Sequence, residues 1–182
     1  LGEFHRNGGN LTLIGTVDNT GRELVLDDES GLFWFLGSSG RILNGLVSST
    51  NSLALVATAS GGTLDGVTLN APMLIRGGGN VYVRNGLTLN SRLTMGSTNY
   101  PGDSGWLRCL GEQQLVGTGE IVLDTQGFLI ADQGGKLTIG PGLTVHGQGV
   151  SILASAGREG EGFILNRGKI LADVTGGQIN IG

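Results

Sequence analysis

The sequence predicts an all-β fold, a right-handed parallel β-helix, or β-solenoid, of about eight coils. Three observations predict it. Glycine is far more frequent than in an average protein, short stretches of alternating aliphatic and polar residues recur along the chain, and one long segment is repeated with its order of residues kept. An antiparallel sandwich of about a dozen strands is the alternative fold, but a sandwich gives no reason for such a long repeat.

Glycine accounts for 36 of the 182 residues, whereas about 7% is usual. The chain has only three prolines, and its glycines do not recur at every third position, which excludes collagen. Glycine weakens helices, and no apolar stripe with helical spacing continues for a dozen positions. Leu, Ile, Val and Phe are nevertheless frequent enough to form a core, so we expect a folded, strand-rich domain.

Short strands are predicted wherever two aliphatic residues flank one small polar residue. In a strand, this alternation places both aliphatic side chains on one face and the polar side chain on the other. Glycine, asparagine or aspartate follows many of these triads, so the chain is expected to turn every few residues. In chain order the triads are Leu11–Leu13, Val67–Leu69, Leu87–Leu89, Leu93–Met95, Leu137–Ile139, Leu143–Val145 and Ile179–Ile181.

The internal repeat indicates how the strands are arranged. Thr125–Gly140 recurs as Asn166–Gly182 with one inserted residue, so that Gly127 aligns with Gly168, 41 residues later. Val67 returns as Leu87, 20 residues later, with the same two-residue continuation Thr-Leu. Offsets of this size fit a coil of roughly 20 to 25 residues seen once or twice over, which is typical of solenoids. Leucine-rich repeats have a similar period, but their fixed frame of Leu and Asn does not recur here.

Three phrases, Asn166–Asp173, Gly61–Asn70 and Asn85–Asn90, resemble the repeats of very large secreted bacterial β-solenoid proteins, such as filamentous-haemagglutinin-like adhesins and autotransporter passengers. The resemblance covers most of the chain from about Gly9. It implies an elongated scaffold, extracellular or on the bacterial cell surface, of the kind used in adhesion, stalks or surface layers. It implies no catalytic residue.

The repeats and the resemblance also predict the domain organisation. Residues 1–8 are interpreted as an N-terminal tail or processed segment, and residues 9–182 as a single solenoid domain that is part of a longer rod. The strand predicted at Gln178–Gly182 would leave unpaired backbone groups at the end of the stack. The expected partners are therefore further coils of the same protein, or other copies in end-to-end or lateral self-association, together with a surface glycan.

Composition restricts the remaining partners and cofactors. The net charge of −4 provides no positive field for nucleic acid, and no apolar run approaches the 18 or so residues of a membrane-spanning helix. The single Cys109 cannot form an internal disulfide. The chain contains no phosphate-binding loop and no spaced set of Cys and His residues, so we expect no cofactor and no metal.

Gly102–Gly105, with the sequence Gly-Asp-Ser-Gly, resembles the nucleophile loop of trypsin-like serine proteases. A serine nucleophile needs a histidine base that is oriented by a carboxylate. The only histidines are His5 and His146, and neither has a protease-like context. We interpret the string as a polar turn that follows Pro101, and we predict no catalytic residue.

A polysaccharide lyase or glycoside hydrolase on the same scaffold is the alternative function, because such enzymes use clustered acids, sometimes with calcium. Asp132 and Asp173 occupy equivalent positions in the repeat, and two coils would separate them by about 9.6 Å, too far for both to bind one ion directly. The other acids considered for such a cluster are Glu159, Glu161 and the run Asp27–Glu29. A groove flanked by clustered acids and a basic residue would favour the enzyme.

The run Leu32–Leu36 contains three of the chain's five Phe, two Trp and two Tyr residues. Alternation in a strand places Trp34 on one face and Phe33 and Phe35 on the other, so an aromatic side chain faces outward whichever face is buried. Phe33, Trp34 and Phe35 are therefore the candidate contacts for a partner or glycan. Cover by a loop or a neighbouring chain for purely structural reasons is the alternative. The sequence thus predicts a non-enzymatic, extracellular, structural or adhesive solenoid segment.

Overall fold

The structure is a computed structural model that describes residues 4, 8–27, 33–57, 59, 61–99, 102–149, 151–154 and 162–182. Within these ranges the chain forms strands and turns but no helix. The described residues therefore contain no helix that could span a membrane. The strands, in chain order, are β1 (Leu11–Leu13), β2 (Thr16–Asp18), β3 (Glu23–Leu26), β4 (Trp34–Leu36), β5 (Arg41–Leu43), β6 (Leu46–Ser49), β7 (Leu55–Ala57), β8 (Gly62–Leu69), β9 (Met73–Ile75), β10 (Gly79–Leu89), β11 (Arg92–Met95), β12 (Gly105–Leu110), β13 (Gln113–Val116), β14 (Glu120–Leu123), β15 (Gly127–Asp132), β16 (Lys136–Ile139), β17 (Thr144–Gly147), β18 (Ser151–Ala154), β19 (Phe163–Asn166), β20 (Lys169–Leu171) and β21 (Asn180–Ile181).

Every strand pair is parallel, and each coil passes three faces in turn. Face A is an eight-stranded sheet in the order β1-β4-β7-β9-β11-β14-β17-β20. Face B stacks β2, β5, the first halves of β8 and β10, β12, β15, β18 and β21. Face C stacks β3, β6, the second halves of β8 and β10, β13, β16 and β19. The predicted fold class, an all-β parallel solenoid, is confirmed, and the expected number of about eight coils is close to the eight strands on face A.

The core is a set of columns of aliphatic side chains that run through the coils. On face A, the inward residue of each coil lies directly above that of the coil before, because the parallel register pairs them one to one. The column contains Trp34, Leu55, Met73, Leu93, Ile121 and Val145, and all six are buried. Strand alternation, read from the sequence as triads, thus becomes a continuous core along the stack.

The corner between faces B and C requires left-handed backbone, which explains the glycines and asparagines found there. The described residues with positive φ at this corner are Gly21, Asn44, Gly45, Gly66, Asn85, Gly86, Gly111, Gln133 and Gly134. Gly45 has a φ of 70°, and a Cβ at this position would overlap the backbone oxygen of Asn19 in the coil before. Only glycine combines a favourable positive φ with the absence of a Cβ. The glycine at this position therefore belongs to a rigid corner rather than to a flexible linker.

The two ends of the stack differ. In the first coil, Leu24 and Leu26 are already buried, and the ring of Phe4 packs edge-on against Trp34 with centroids 6.1 Å apart. In the last coil, Ile181 continues the inward column of the fully buried Ile152, yet it is 60% exposed. The core is therefore covered at the N-terminal end and open at the C-terminal end.

The structure corrects the interpretation of the internal repeat. The 20-residue offset between Val67 and Leu87 equals one coil, because these two residues pair in adjacent strands. The 41-residue repeat does not equal two coils: Gly127 begins β15 on face B, whereas Gly168 precedes β20 on face A. Coil length varies, from 18 residues between paired Leu55 and Met73 to 29 between paired Ser151 and Asn180, and this variation moves the repeated segment by one face.

Candidate binding surface on face B

The predicted aromatic run is divided between core and surface. Trp34 is fully buried in the face A column, and its Nε1 donates a hydrogen bond to the Asp27 carboxylate at 3.2 Å. Phe33 and Phe35 point outward, with ring centroids 5.7 Å apart, and Phe33 is 39% exposed. Leu32 lies outside the described residues. Of the three candidate contacts, Phe33 and Phe35 are thus placed on the outer surface, and Trp34 is not.

The surface around Phe33 and Phe35 is partly covered. The Arg76 guanidinium carbon lies 6.0 Å from the centre of the Phe33 ring, a distance at which cations interact favourably with aromatic rings. Val56, which pairs with Phe35 and also points outward, is fully buried. This part of face A is therefore a packed patch rather than an open platform, and its contact with a partner or glycan stays a prediction.

Asp103 and Ser104 form part of the corner between faces A and B. The Asp103 carboxylate accepts a hydrogen bond from the backbone of Gly77, and the Ser104 carbonyl accepts one from the backbone of Gly78 at 2.9 Å. His146 lies on face A, in β17, with both ring nitrogens bonded to other side chains. The geometry around Asp103 and Ser104 is that of a turn that joins two coils.

Asp132 and Asp173, two of the acids considered as a catalytic or calcium cluster, are not brought together. Asp132 ends β15 on face B and Asp173 follows β20 on face A, so the prediction that they stand two coils apart in one column is wrong. The cause is the same variation in coil length that displaces the repeat. Asp28, Glu29, Glu159 and Glu161 lie outside the described residues. Among the residues that are described, no three His, Cys, Asp or Glu side chains are placed to hold a metal ion.

Face A carries a network of polar and ionisable side chains across four successive coils. The Arg92 Nε lies 3.2 Å from the Glu120 carboxylate, and the other oxygen of that carboxylate lies 3.2 Å from His146 Nε2. His146 Nδ1 lies 3.0 Å from the Asp173 carboxylate. These contacts link neighbouring coils side chain to side chain, and they bring Asp173 to His146 rather than to Asp132.

Face B presents a second aromatic cluster, which was not predicted from the sequence. Trp106 pairs with Phe128 in the next coil, and their rings stack at a centroid distance of 5.5 Å with an angle of 7° between planes. Both side chains are half-buried. The signal for this stack is present in the sequence, since Gly105-Trp106-Leu107 and Gly127-Phe128-Leu129 lie one coil apart with the same order of glycine, aromatic residue and leucine.

Beside this stack is a polar cavity of about 420 Å³, here called the face B groove. It follows the outward positions of four coils, because Thr63 pairs with Tyr82, and Tyr82 pairs with Arg108. At about 4.8 Å per coil, the groove extends about 14 Å along the stack. Its lining residues are Thr63, Tyr82, Arg84, Arg108, Leu110, Asp132 and Gln133.

One ion pair fixes the floor of the groove. Arg108 Nε donates to the Asp132 carboxylate at 2.8 Å, and the backbone N–H of Gln133 donates to the other oxygen at 2.8 Å. Partial burial alone would raise the pKa of Asp132, but the hydrogen bonds from Arg108 and Gln133 and the Arg108 charge outweigh it, so this pKa lies below its ordinary value. Asp132 is therefore held as a carboxylate.

Arg84 and Arg108 retain unused hydrogen-bond donors. Arg84 is exposed and forms no ion pair within the described ranges, and the two terminal nitrogens of Arg108 make no hydrogen bond there. With Asp132 as the single acidic side chain that lines the groove, the groove carries one net positive charge in a chain whose net charge is −4.

Comparison of the chain with protein-family models, with curated proteins and with solved structures finds no match.

Proposed function

We propose that this chain is a non-enzymatic segment of a rigid extracellular rod, with a structural and adhesive role at a bacterial cell surface. The observation that carries the proposal is the continuous core column from Trp34 to Val145. Because every interior coil is held by parallel pairing to both neighbours, the outer side chains keep fixed positions along the stack. The resemblance of the repeats to secreted bacterial solenoids supports the location and the adhesive role.

The electrostatics of face B favour binding over hydrolysis. A glycoside hydrolase needs one carboxyl group whose pKa is raised, so that it can donate a proton, and a second that is ionised. The pKa of Asp132 is lowered instead. Asp65, another acid on face B, is buried and accepts hydrogen bonds from Arg41 at 2.7 Å and Asn85 at 2.6 Å. Both acids act as fixed acceptors that support the surface.

The open C-terminal end supports extension of the rod. β20 and β21 are the last strands of faces A and B, and each pairs on one side only within the described residues. An exposed strand edge above an exposed apolar core is a template for another strand. The end of a second copy of this chain would cover Ile181.

A location experiment tests the extracellular role. Intact source cells are labelled with an antibody raised against this chain, and permeabilised cells serve as the positive control. We expect labelling of intact cells that is lost after brief treatment with external protease. Labelling that requires permeabilisation would contradict the proposal.

A turnover experiment tests the non-enzymatic role. Polygalacturonate, alginate and xylan are incubated with the protein, with and without calcium, and reducing ends and unsaturated products are followed over hours. We expect no product above the level of a heat-denatured sample. Product that disappears in the Asp132→Asn variant would favour the alternative, a polysaccharide lyase or glycoside hydrolase.

A further inference from the structure

We propose that the face B groove binds a linear polysaccharide that carries carboxylate groups, such as a polyuronate, with the chain aligned along the solenoid axis. This inference deepens the proposed adhesive function, on which it rests, by naming the class of ligand and the residues that contact it.

The shape of the groove fits an extended polymer. It crosses four coils in the axial direction, from Thr63 to Asp132, and is only a few residues wide. Each of the four coils contributes at least one lining side chain, and the coils are spaced at about 4.8 Å. An extended ligand can therefore contact successive coils, whereas a compact ligand would contact only one or two.

The chemistry of the lining fits sugar. Sugar rings present hydroxyl groups and apolar C–H faces, and they are bound by polar groups that fix orientation next to aromatic side chains. Tyr82 and Thr63 supply hydroxyl groups, and the Arg108–Asp132 pair supplies a fixed donor next to a fixed acceptor. Trp106, two residues before Arg108 on the same strand face, extends the surface with half-exposed aromatic area.

The charge of the groove selects a carboxylate-bearing chain over a neutral one. The Arg84 guanidinium has no ion pair in the described part of the chain, and Arg108 binds Asp132 through Nε alone, which leaves its terminal nitrogens for a ligand. Guanidinium groups bind carboxylates through paired hydrogen bonds. Asp132 is neutralised by Arg108, so it does not repel an anionic ligand approaching Arg84.

The test is calorimetric titration of the protein with oligogalacturonates of defined length and, as a matched neutral ligand, the same oligomers fully methyl-esterified. The variants are Arg84→Gln, which removes the free charge, and Arg108→Lys, which keeps a charge near Asp132 but removes the planar fork. Arg167→Gln removes an exposed arginine between faces C and A and is the matched control. The melting temperature of each variant shows whether the fold is kept.

We expect the free-acid oligomer to bind, with Kd raised about tenfold in Arg84→Gln and several-fold in Arg108→Lys, and unchanged in Arg167→Gln. Affinity should fall when the ester replaces the acid and when salt is raised. Absence of binding, equal affinity for acid and ester, or equal loss in all three variants would overturn the proposal. Tighter binding of poly-glutamate than of oligogalacturonate would overturn it in favour of an acidic peptide.

Failure of this inference and failure of the proposed function give different results. If the protein is labelled on intact cells and forms no product, but binds no oligomer, the proposed function stands and the proposed ligand of the face B groove is overturned. If the protein binds the oligomer and also releases unsaturated or reducing-end product, the proposed ligand of the groove stands and the non-enzymatic role is overturned.

Discussion

Gly45 shows how one residue sets the shape of a corner. Its φ of 70° and the absence of space for a Cβ next to Asn19 are separate constraints. Gly21, at the same corner in the first coil, has a φ of 66° but open space around its Cβ position. We expect Gly21→Ala to cost about 1 kcal/mol, from backbone conformation alone, and Gly45→Ala about 2 kcal/mol more. Chemical denaturation measures both, and equal losses would contradict this account of the corner.

Asp132 predicts a pH dependence of stability. Because its pKa is lower in the folded chain than its ordinary value of 3.8, the ion pair with Arg108 stabilises the fold above about pH 4, and this contribution is lost as the pH falls through the lowered value. Asp132→Asn should therefore lower the unfolding free energy by about 1 kcal/mol at pH 7 and by less at pH 3.

Thermal melts of Asp132→Asn between pH 7 and pH 3 measure this effect. Glu112→Gln is the control, since Glu112 is an exposed acid at the corner one coil earlier, 3.5 Å from Lys136. An exposed pair of this kind contributes little. A difference between wild type and Asp132→Asn that stays constant over the whole pH range would show that the ion pair with Arg108 is not the source.

At the scale of strands, position along the stack controls the cost of removing an inward side chain. Leu93 in β11 is fully buried between β9 and β14, whereas Ile181 in β21 is 60% exposed at the open end. We expect Leu93→Ala to lower the unfolding free energy by about 2–5 kcal/mol and Ile181→Ala by less than about 1 kcal/mol. Similar losses in denaturant titrations would mean that the C-terminal end is covered in solution.

The strands were predictable from the sequence because their pattern is local. Val67–Leu69 and Leu87–Leu89 alternate as expected and pair as neighbouring coils. The burial of Trp34 was not predictable, since Leu32–Leu36 alternates equally well with either face inward. Asp132 and Asp173 were misplaced because their relation depends on the lengths of the intervening turns, which differ from coil to coil, and no local pattern reports the sum of those lengths.

The candidate binding surface was harder to predict from the sequence than the fold was. Phe33, Trp34 and Phe35 were predicted as contacts because they are consecutive in the chain, yet Phe33 and Phe35 lie in a patch where Val56 is already covered. Trp106 and Phe128 are separated by a whole coil and become neighbours only through the parallel register. The surface of a solenoid is formed by columns of side chains that stack from coil to coil. Neighbouring surface residues are therefore found by comparing positions one coil apart in the sequence.

At the scale of the whole molecule, function follows from regular stacking. Face A carries the side-chain network around His146, face B carries the groove between Tyr82 and Asp132, and the C-terminal end exposes the core at Ile181. These three features lie on one stack of coils. The rod, its extension and its binding surface therefore depend on the same parallel register.

Paired cysteines test that register directly. Thr68 and Thr88 are outward partners in adjacent coils of face C, at a separation that a disulfide can span. In a Cys109→Ala background, Thr68→Cys with Thr88→Cys should form an intramolecular disulfide on mild oxidation. Thr68→Cys with Thr138→Cys should keep both thiols free, because two further coils intervene. Mass spectrometry of the oxidised proteins that shows no bridge in the first pair, or a bridge in the second, would contradict the parallel solenoid.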